Sequence, residues 1–378
     1  MITFNRKLIL ETILKNSKQS NLKNIKKIFT YIESKPILSS CSPFLIEKTF
    51  LNYRKKKFNL IYIIYYILNF LKKFTLFILK TIKNKPPKNF NFEKILFFFS
   101  NKYVDQYNIF PISEKLVKKN KKHTLLFSEQ NDNFLSFLLN SKSSNKKSLN
   151  KIQKKFSKKI ITIQKYFILE DIIKGLKMFL SEKKEVNKIL KSLKFDFYQK
   201  LIAYDFYLNF FIFLNLYSRI FEKVSIDHIL SHRFNSSELC SLVYFFKHKY
   251  KKKINICSYE FLGLGGESAL YLYLNSDILF VPSKLDIKLI KKIEKNKLVL
   301  KKFPNIKLAG SVRNEYFLKN LEKKEMKNNP KIKILYILSR STHYDNVDER
   351  ALKLFIKVFQ KFKDKIDLEI KDRIDIKS

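Results

Sequence analysis

An α/β fold built on a parallel sheet is the architecture that this sequence predicts, on three observations. From Ile95 to Ile370 short apolar runs of strand length alternate with longer stretches of helical periodicity. The connections between them are short, and strand–helix–strand order with short connections implies parallel strands joined by right-handed crossovers. Four of the five glycines, Gly263, Gly265, Gly266 and Gly310, fall between Ile254 and Arg313. There a strand end meets a helix start, where a backbone free to take positive φ is most useful.

Taken in order, residues 1–88 read as a helical N-terminal extension, broken at the Ser39-to-Pro43 loop and around Lys55. The segment Phe58 to Ile82 is rich in Tyr, Phe and Leu, but Lys72 and Lys73 interrupt it. The apolar run they leave is shorter than the ~20 residues that span a bilayer. It fits either a helix lying in the headgroup plane or one packed on the rest of the chain. The stretch Asn84-Lys85-Pro86-Pro87-Lys88 reads as a linker, because two prolines amid charge do not continue a helix.

Residues 89–314 form the main domain. Ile95–Phe99 reads as a strand, Ile109–Lys119 as a helix, Thr124–Phe127 as a second strand and Ile160–Ile163 as a third, after a polar stretch from Ser141 to Ser148 expected to be mobile. Helices follow from Glu170 to about Glu222. Ile226–Leu230 is the next strand, leading through Ser231-His232-Arg233 into a helix capped by Ser236 or Ser237 that runs to Lys249. The Ile254–Cys257 strand opens the glycine loop, with a helix from Glu267 to Leu274. Asp277–Val281, a helix to about Asn296 and Ile306–Ala309 complete the alternation. Residues 331–378 hold a strand at Ile332–Leu338, a helix at Val347–Phe362 and a strand at Ile366–Ile370.

The 46% hydrophobic content is ample for a sizeable core, and 15% is aromatic. A net charge of +44 invites a polyanionic partner. Yet Lys, Ile, Asn and Phe dominate together, as AT-rich codons alone would produce, and no basic–aromatic motif or helix-turn-helix signature accompanies the charge. Nucleic acid is therefore not an expected partner, whereas anionic lipid headgroups are. Cys41, Cys240 and Cys257 show no metal-ligand spacing and no paired framework. No metal or cofactor is expected. With no secretory signal evident, the sequence reads as cytoplasmic, with a peripheral position at the inner face of the cell membrane as the membrane-bound version of that expectation.

The order of elements resembles the N-terminal half of a two-domain GT-B glycosyltransferase. The residues that carry the likeness are the Ile95 strand, the Ile226 strand with its helix, the glycine loop, the strand ending Phe280-Val281-Pro282-Ser283 and the hinge Leu308-Ala309-Gly310-Ser311-Val312-Arg313-Asn314-Glu315. The chain is most similar to bacterial enzymes of capsule and surface-carbohydrate assembly, including relatives of the CDP-glycerol glycerophosphotransferases. In that group a strand ending Gly-Ser/Asn-Pro-Arg-x-Asp closes the first domain. Here Gly310, Ser311 and Arg313 match, while Val312 replaces the proline. The resemblance implies a Rossmann-like acceptor-side domain followed by a second Rossmann-like domain, incomplete in this chain. Its activity would be transfer of a sugar or glycerophosphate from a nucleotide-activated donor to a glycan acceptor.

Such transfer needs a base for the acceptor hydroxyl and positive groups for the leaving diphosphate. The group commonly has a His-Gly after the strand equivalent to Ile254–Cys257, where this chain has Ser258-Tyr259-Glu260. Glu260, leaving that strand beside the glycine loop, is the first candidate base, and His232 at the neighbouring strand exit is the second. Each also suits a structural role, Glu260 at a helix start and His232 as a satisfied polar residue. Gly263, Gly265 and Gly266 suit a phosphate or merely a tight turn. In a lysine-rich chain the arginines at strand exits, Arg233, Arg313 and Arg340, mark places where bidentate geometry is wanted. Arg340 and Ser341 lie in a polar loop between strand and helix, and Lys371 leaves the Ile366 strand where the family has Lys-x-His-Pro, though Asp372-Arg373 follow here. After Arg313 the remaining residues suffice for one strand–helix–strand unit. Weak binding of sugar nucleotides, and inactivity, follow as expectations. A sugar-nucleotide 2-epimerase shares the architecture and is the alternative enzyme; a non-catalytic basic protein binding membrane or nucleic acid is the alternative of another class.

Overall fold

The computed structural model describes residues 30–32, 34–46, 60–82, 86, 91–100, 103–128, 160–232, 234–250, 253–259, 275–296, 304–310, 332–338, 356–357, 360 and 366–372. The chain divides into two units, Met1–Tyr316 and Phe317–Ser378. In the first, α1 (Pro36–Ser40), α2 (Ser42–Ile46) and α3 (Leu60–Ile82) precede β1 (Ile95–Ser100), α4 (Tyr103–Lys118), β2 (Thr124–Ser128) and β3 (Ile160–Thr162). A 3₁₀ turn at Ile163–Tyr166 leads to α5 (Leu169–Ser192) and α6 (Phe197–Phe221). Then come β4 (His228–Ser231), α7 (Ser237–Tyr244) with a π-helical end at Phe245–Lys249, β5 (Asn255–Tyr259), β6 (Ile278–Val281), α8 (Lys284–Asn296) and β7 (Asn305–Leu308).

The seven strands form one sheet in the order β3-β2-β1-β4-β5-β6-β7, every pair parallel. This is the doubly wound, Rossmann-like order 3-2-1-4-5-6 extended by β7. Side chains alternate between the faces, and both are apolar, as a sheet covered on both sides requires. Phe97, Phe99, Leu125 and Phe127 meet Ile109 and Phe110 of α4 on one face, while Leu96, Phe98, Leu126, Ile229 and Ile256 meet α5, α6 and α7 on the other.

α6 is the spine of that second layer. Its buried residues run unbroken from Phe206 to Leu214, so they fall on every side of the helix. Among the described helices it alone is long and apolar enough to cross a membrane, and 67% of its most apolar stretch is buried inside the fold. Asp196 caps its start: Gln199 N donates to Asp196 Oδ1 at 2.7 Å, and Asp196 N donates to Gln199 Oε1 at 3.0 Å. Gly175 lets α5 approach, since a Cβ there would lie 2.7 Å from the Ile212 Cα. One turn earlier in α5, the two carboxylate oxygens of buried Asp171 accept from Arg219 Nε and Nη2 at 3.1 and 2.6 Å. Asp171 also accepts from Ile168 N at 3.1 Å, and Arg219 Nη2 donates to the Tyr166 carbonyl. One ion pair thus joins the exit of β3, the start of α5 and the end of α6.

The described N-terminal helices are built into the same core. Ile32, Leu38, Cys41, Phe44 and Leu45 are buried, Phe44 stacks on Phe206 at 3.8 Å, and Asn275 Nδ2 donates to the Ser40 carbonyl at 2.7 Å. α3 is continuous through Lys72 and Lys73.

Several boundaries differ from the sequence expectation by one to six residues. α4 begins at Tyr103, six residues before Ile109, and carries Pro111 inside it; burial of Ile109 and Phe110 outweighs the backbone bond that the proline forfeits. β3 ends at Thr162, because Ile163 turns into the 3₁₀ segment. β4 begins at His228 because the Ile226 N–H donates instead to the Tyr250 hydroxyl at 3.1 Å. The glycine-loop helix expected at Glu267–Leu274 and the Ser141–Ser148 stretch lie outside the described residues.

In the second unit β8 (Ile332–Leu338) and β9 (Ile366–Asp372) pair in parallel, from Ile332 opposite Ile366 to Leu338 opposite Asp372. Of the helix expected at Val347–Phe362, residues 356, 357 and 360 are described, and they are helical.

Arg219→Leu is expected to cost about 3–5 kcal/mol of stability, because it strands a buried carboxylate. Gly175→Ala is expected to cost about 1–3 kcal/mol, because the clash is with backbone. Urea unfolding of the two variants checks both.

Candidate functional site at the carboxyl ends of the strands

In a sheet of this topology ligands bind outside the carboxyl ends of the strands, at the point where the order reverses. That point lies between β1 and β4, neighbours in the sheet although β2 follows β1 in sequence. Hydroxyl residues close the strands there: Ser100 is opposite Ser128, and Ser231 is opposite Ser258. Gln164 Nε2, just past β3, donates to Ser128 Oγ at 3.0 Å.

His232 follows Ser231 directly and is half-buried. The sheet sorts the described histidines by end. His228 is the first residue of β4, His123 precedes the first residue of β2, and His248 lies in the π-helical segment leading back to β5. All three are at the amino end. His232 is at the carboxyl end, and His343 is outside the described residues.

His123 shows how a catalytic-looking pair can be structural. The Ser113 hydroxyl is 2.6 Å from its Nε2, and both residues are buried. His123 Nδ1 lies 3.1 Å from the Lys121 carbonyl, so that nitrogen carries the proton and Nε2 accepts from Ser113. The bond closes the turn between α4 and β2, in which Asn120 takes a φ of 53°. A substrate has no route to it.

Of the other expected site residues, Glu260, Arg233, Gly263, Gly265, Gly266, Arg313, Arg340 and Ser341 lie outside the described residues. Lys371 is in β9, opposite Ile337. The strands that deliver His232 and Glu260, β4 and β5, are adjacent.

Around these strand ends the sequence reading missed several polar clasps. Tyr259, the last residue of β5, donates its hydroxyl to the Gly310 carbonyl at 2.7 Å and so fixes the turn after β7. Gly310 takes a φ of 74°, and a Cβ there would meet nothing within 4 Å, so its backbone conformation and not space calls for glycine. Ser258 and Ser276 share a buried hydrogen bond that holds the approach to β6. Ser283 and Asp286 cap α8 reciprocally, Ser283 N to Asp286 Oδ2 at 3.1 Å and Asp286 N to Ser283 Oγ at 3.2 Å. This Ser-x-x-Asp spacing is a capping box that the sequence displays.

The cysteines are not nucleophiles. Burial pushes the Cys257 thiol up to about 11, helped by the negative charge of Asp277. Burial also raises Cys41 well above its ordinary value. Cys240 is fully buried. Among the described residues no group of three or more His, Cys, Asp or Glu is placed to hold a metal ion.

At neutral pH the native protein is expected to leave all three thiols unlabelled by a maleimide, with three labels appearing on denaturation. Mass spectrometry before and after addition of guanidinium measures this, and Cys257, whose thiol burial pushes up, is the one to follow.

Compared with protein-family models, with curated proteins and with solved structures, the chain matches none.

Proposed function

We propose that the chain is a glycosyltransferase-like protein of surface-polysaccharide assembly, moving a sugar or glycerophosphate from a nucleotide-activated donor to a glycan hydroxyl. The observation that carries this reading is the seven-stranded parallel sheet with half-buried His232 at its switch point, followed in the chain by a second unit that begins with a parallel strand pair. Two α/β units in series are what a transferase with separate acceptor and donor halves needs. The hinge sequence at Gly310-Ser311 and Arg313 adds the resemblance set out above.

In this reading the acceptor lies over the carboxyl ends of β1, β4 and β5. His232 or Glu260 takes the proton from the attacking hydroxyl, and the oxygen forms its bond as the bond to the nucleotide leaving group breaks, a nucleoside diphosphate for a sugar and a nucleoside monophosphate for glycerophosphate. By their place in the sequence Arg233, the glycines 263, 265 and 266 and Arg313 are assigned to the acceptor unit, and Arg340, Ser341 and Lys371 to the donor unit, where positive groups and backbone N–H groups would neutralise the departing phosphates.

Calorimetric titration of the whole chain tests the proposal. Glycan acceptor fragments are expected to give a saturable isotherm that His232→Ala weakens. Absence of any acceptor isotherm overturns the reading.

A further inference from the structure

α3 presents two apolar faces to two different surroundings. The inner one, with Ile63, Phe77 and Thr81 buried and Tyr66, Phe70, Phe74 and Ile78 partly buried, packs on the fold. Phe77 meets the Phe167 ring at 5.2 Å, Tyr66 meets Tyr198 at 5.8 Å, and the Tyr66 hydroxyl donates to Asp205 at 3.1 Å. Burial, with Asp205 behind it, raises the Tyr66 phenol, so this contact stays a neutral hydroxyl to a carboxylate.

The outer face carries Ile64, Ile67, Leu68, Leu71, Leu79 and Ile82, all exposed, between 38% and 61%. Their spacing of three, four and seven puts them on one stripe. From Ile64 to Ile82 the stripe is about 27 Å long. Solvent-facing Leu and Ile in this number and alignment exceed the scattered apolar residues that any surface shows.

Charge identifies what covers it. Between Lys48 and Phe92 the sequence has eleven basic residues and no acidic one. Exposed Lys72 lies about 80° round the helix from Ile64, at the edge of the stripe. An apolar stripe beside an exposed lysine, in a stretch of sequence without a single acidic residue, matches the boundary between acyl chains and anionic headgroups, with the stripe inserted and the basic groups at the phosphates. A nucleic acid would have no use for the leucines. Because the inner face is committed to the core, α3 docks in the membrane plane and does not cross it.

We propose that the outer face of α3 is a docking surface for an anionic lipid bilayer, holding the seven-stranded unit at the membrane with α3 parallel to its plane. This stands apart from the glycosyl-transfer reading, since it needs neither the strand ends nor the second unit.

Co-sedimentation of the whole chain with vesicles of phosphatidylglycerol in phosphatidylcholine, and of phosphatidylcholine alone, tests it. Binding is expected to the anionic vesicles only, and to fall steeply with added salt. The variant Ile64→Ser/Leu68→Ser/Leu71→Ser, changed only at exposed positions, is expected to fold with unaltered thermal unfolding and to bind at least about tenfold more weakly. Lys72→Glu, a single exposed change, is expected to weaken binding in the same direction. No binding at low salt overturns the proposal, as does equal binding to neutral vesicles. Undiminished binding of the triple variant overturns the role of the stripe, and a competing gain of affinity for DNA over vesicles shows charge without docking.

Discussion

The carboxylate of Asp171 sits almost wholly out of water, and Arg219 grips both of its oxygens there. Removing either partner alone would leave an ion in a medium that cannot solvate it. The consequence reaches well beyond two residues. Tyr166 and Ile168, held by the same pair, fix how the chain leaves β3, and this sets where α5 begins. Arg219 belongs to the last turn of α6, so the pair also pins α6 along its length. Gly175 and Ile212 set the separation of the two helices one turn along α5 and about two turns back along α6. With α5 and α6 placed, one face of the sheet is closed, and the strand ends beside it are held in register.

The two ends of the sheet are chemically unlike. At the amino end polar groups are spent on one another. Asp277 accepts from Ile256 N and pairs with Lys247, Ser113 binds His123, and Tyr250 bridges the Val224 carbonyl and the Ile226 N–H. These bonds close loops. At the carboxyl end β1, β2 and β4 finish in serines and β5 in Tyr259, polar bonds such as Gln164 to Ser128 and Tyr259 to the Gly310 carbonyl tie the strand exits, and His232 and Glu260 follow β4 and β5 in sequence. Parallel strands make this asymmetry inevitable, because every connecting loop after a strand opens on the same side. Lone histidines therefore differ in meaning by which end they occupy, and His232 is distinguished from His123, His228 and His248 on that ground alone.

Charge behaves differently. A net charge of +44 spread over lysines is a long-range field that any polyanion feels, and by itself it selects nothing. It becomes selective only where geometry adds a second requirement. On α3 that requirement is an exposed apolar stripe beside exposed Lys72. Helix α6, also long and apolar, is the opposite case: most of its side chains are used up by the core. Hydrophobicity alone does not tell a buried spine from a surface that meets lipid. Only the position of the exposed residues does.

Local order was legible in the sequence. The runs at Ile95, Thr124, Asp277 and Ile332 alternate with helical stretches, and strand propensity and periodicity act over a few residues, so they survive without knowledge of the fold. The caps at Asp196 and Ser236 belong to the same class, each being a side chain bonding to backbone three residues away. The parallel arrangement followed from connection lengths. What the sequence could not display were contacts set by distance in space. Asp171 and Arg219 are 48 residues apart, and Asn275 and Ser40 are 235 apart. Gly175 reads as an unremarkable helix residue until Ile212 is brought against it. The inner and outer faces of α3 are equally apolar in sequence, which is why that helix read both as a packing helix and as an interfacial one. Tertiary structure decided between its faces, because packing buries only the side that has a partner.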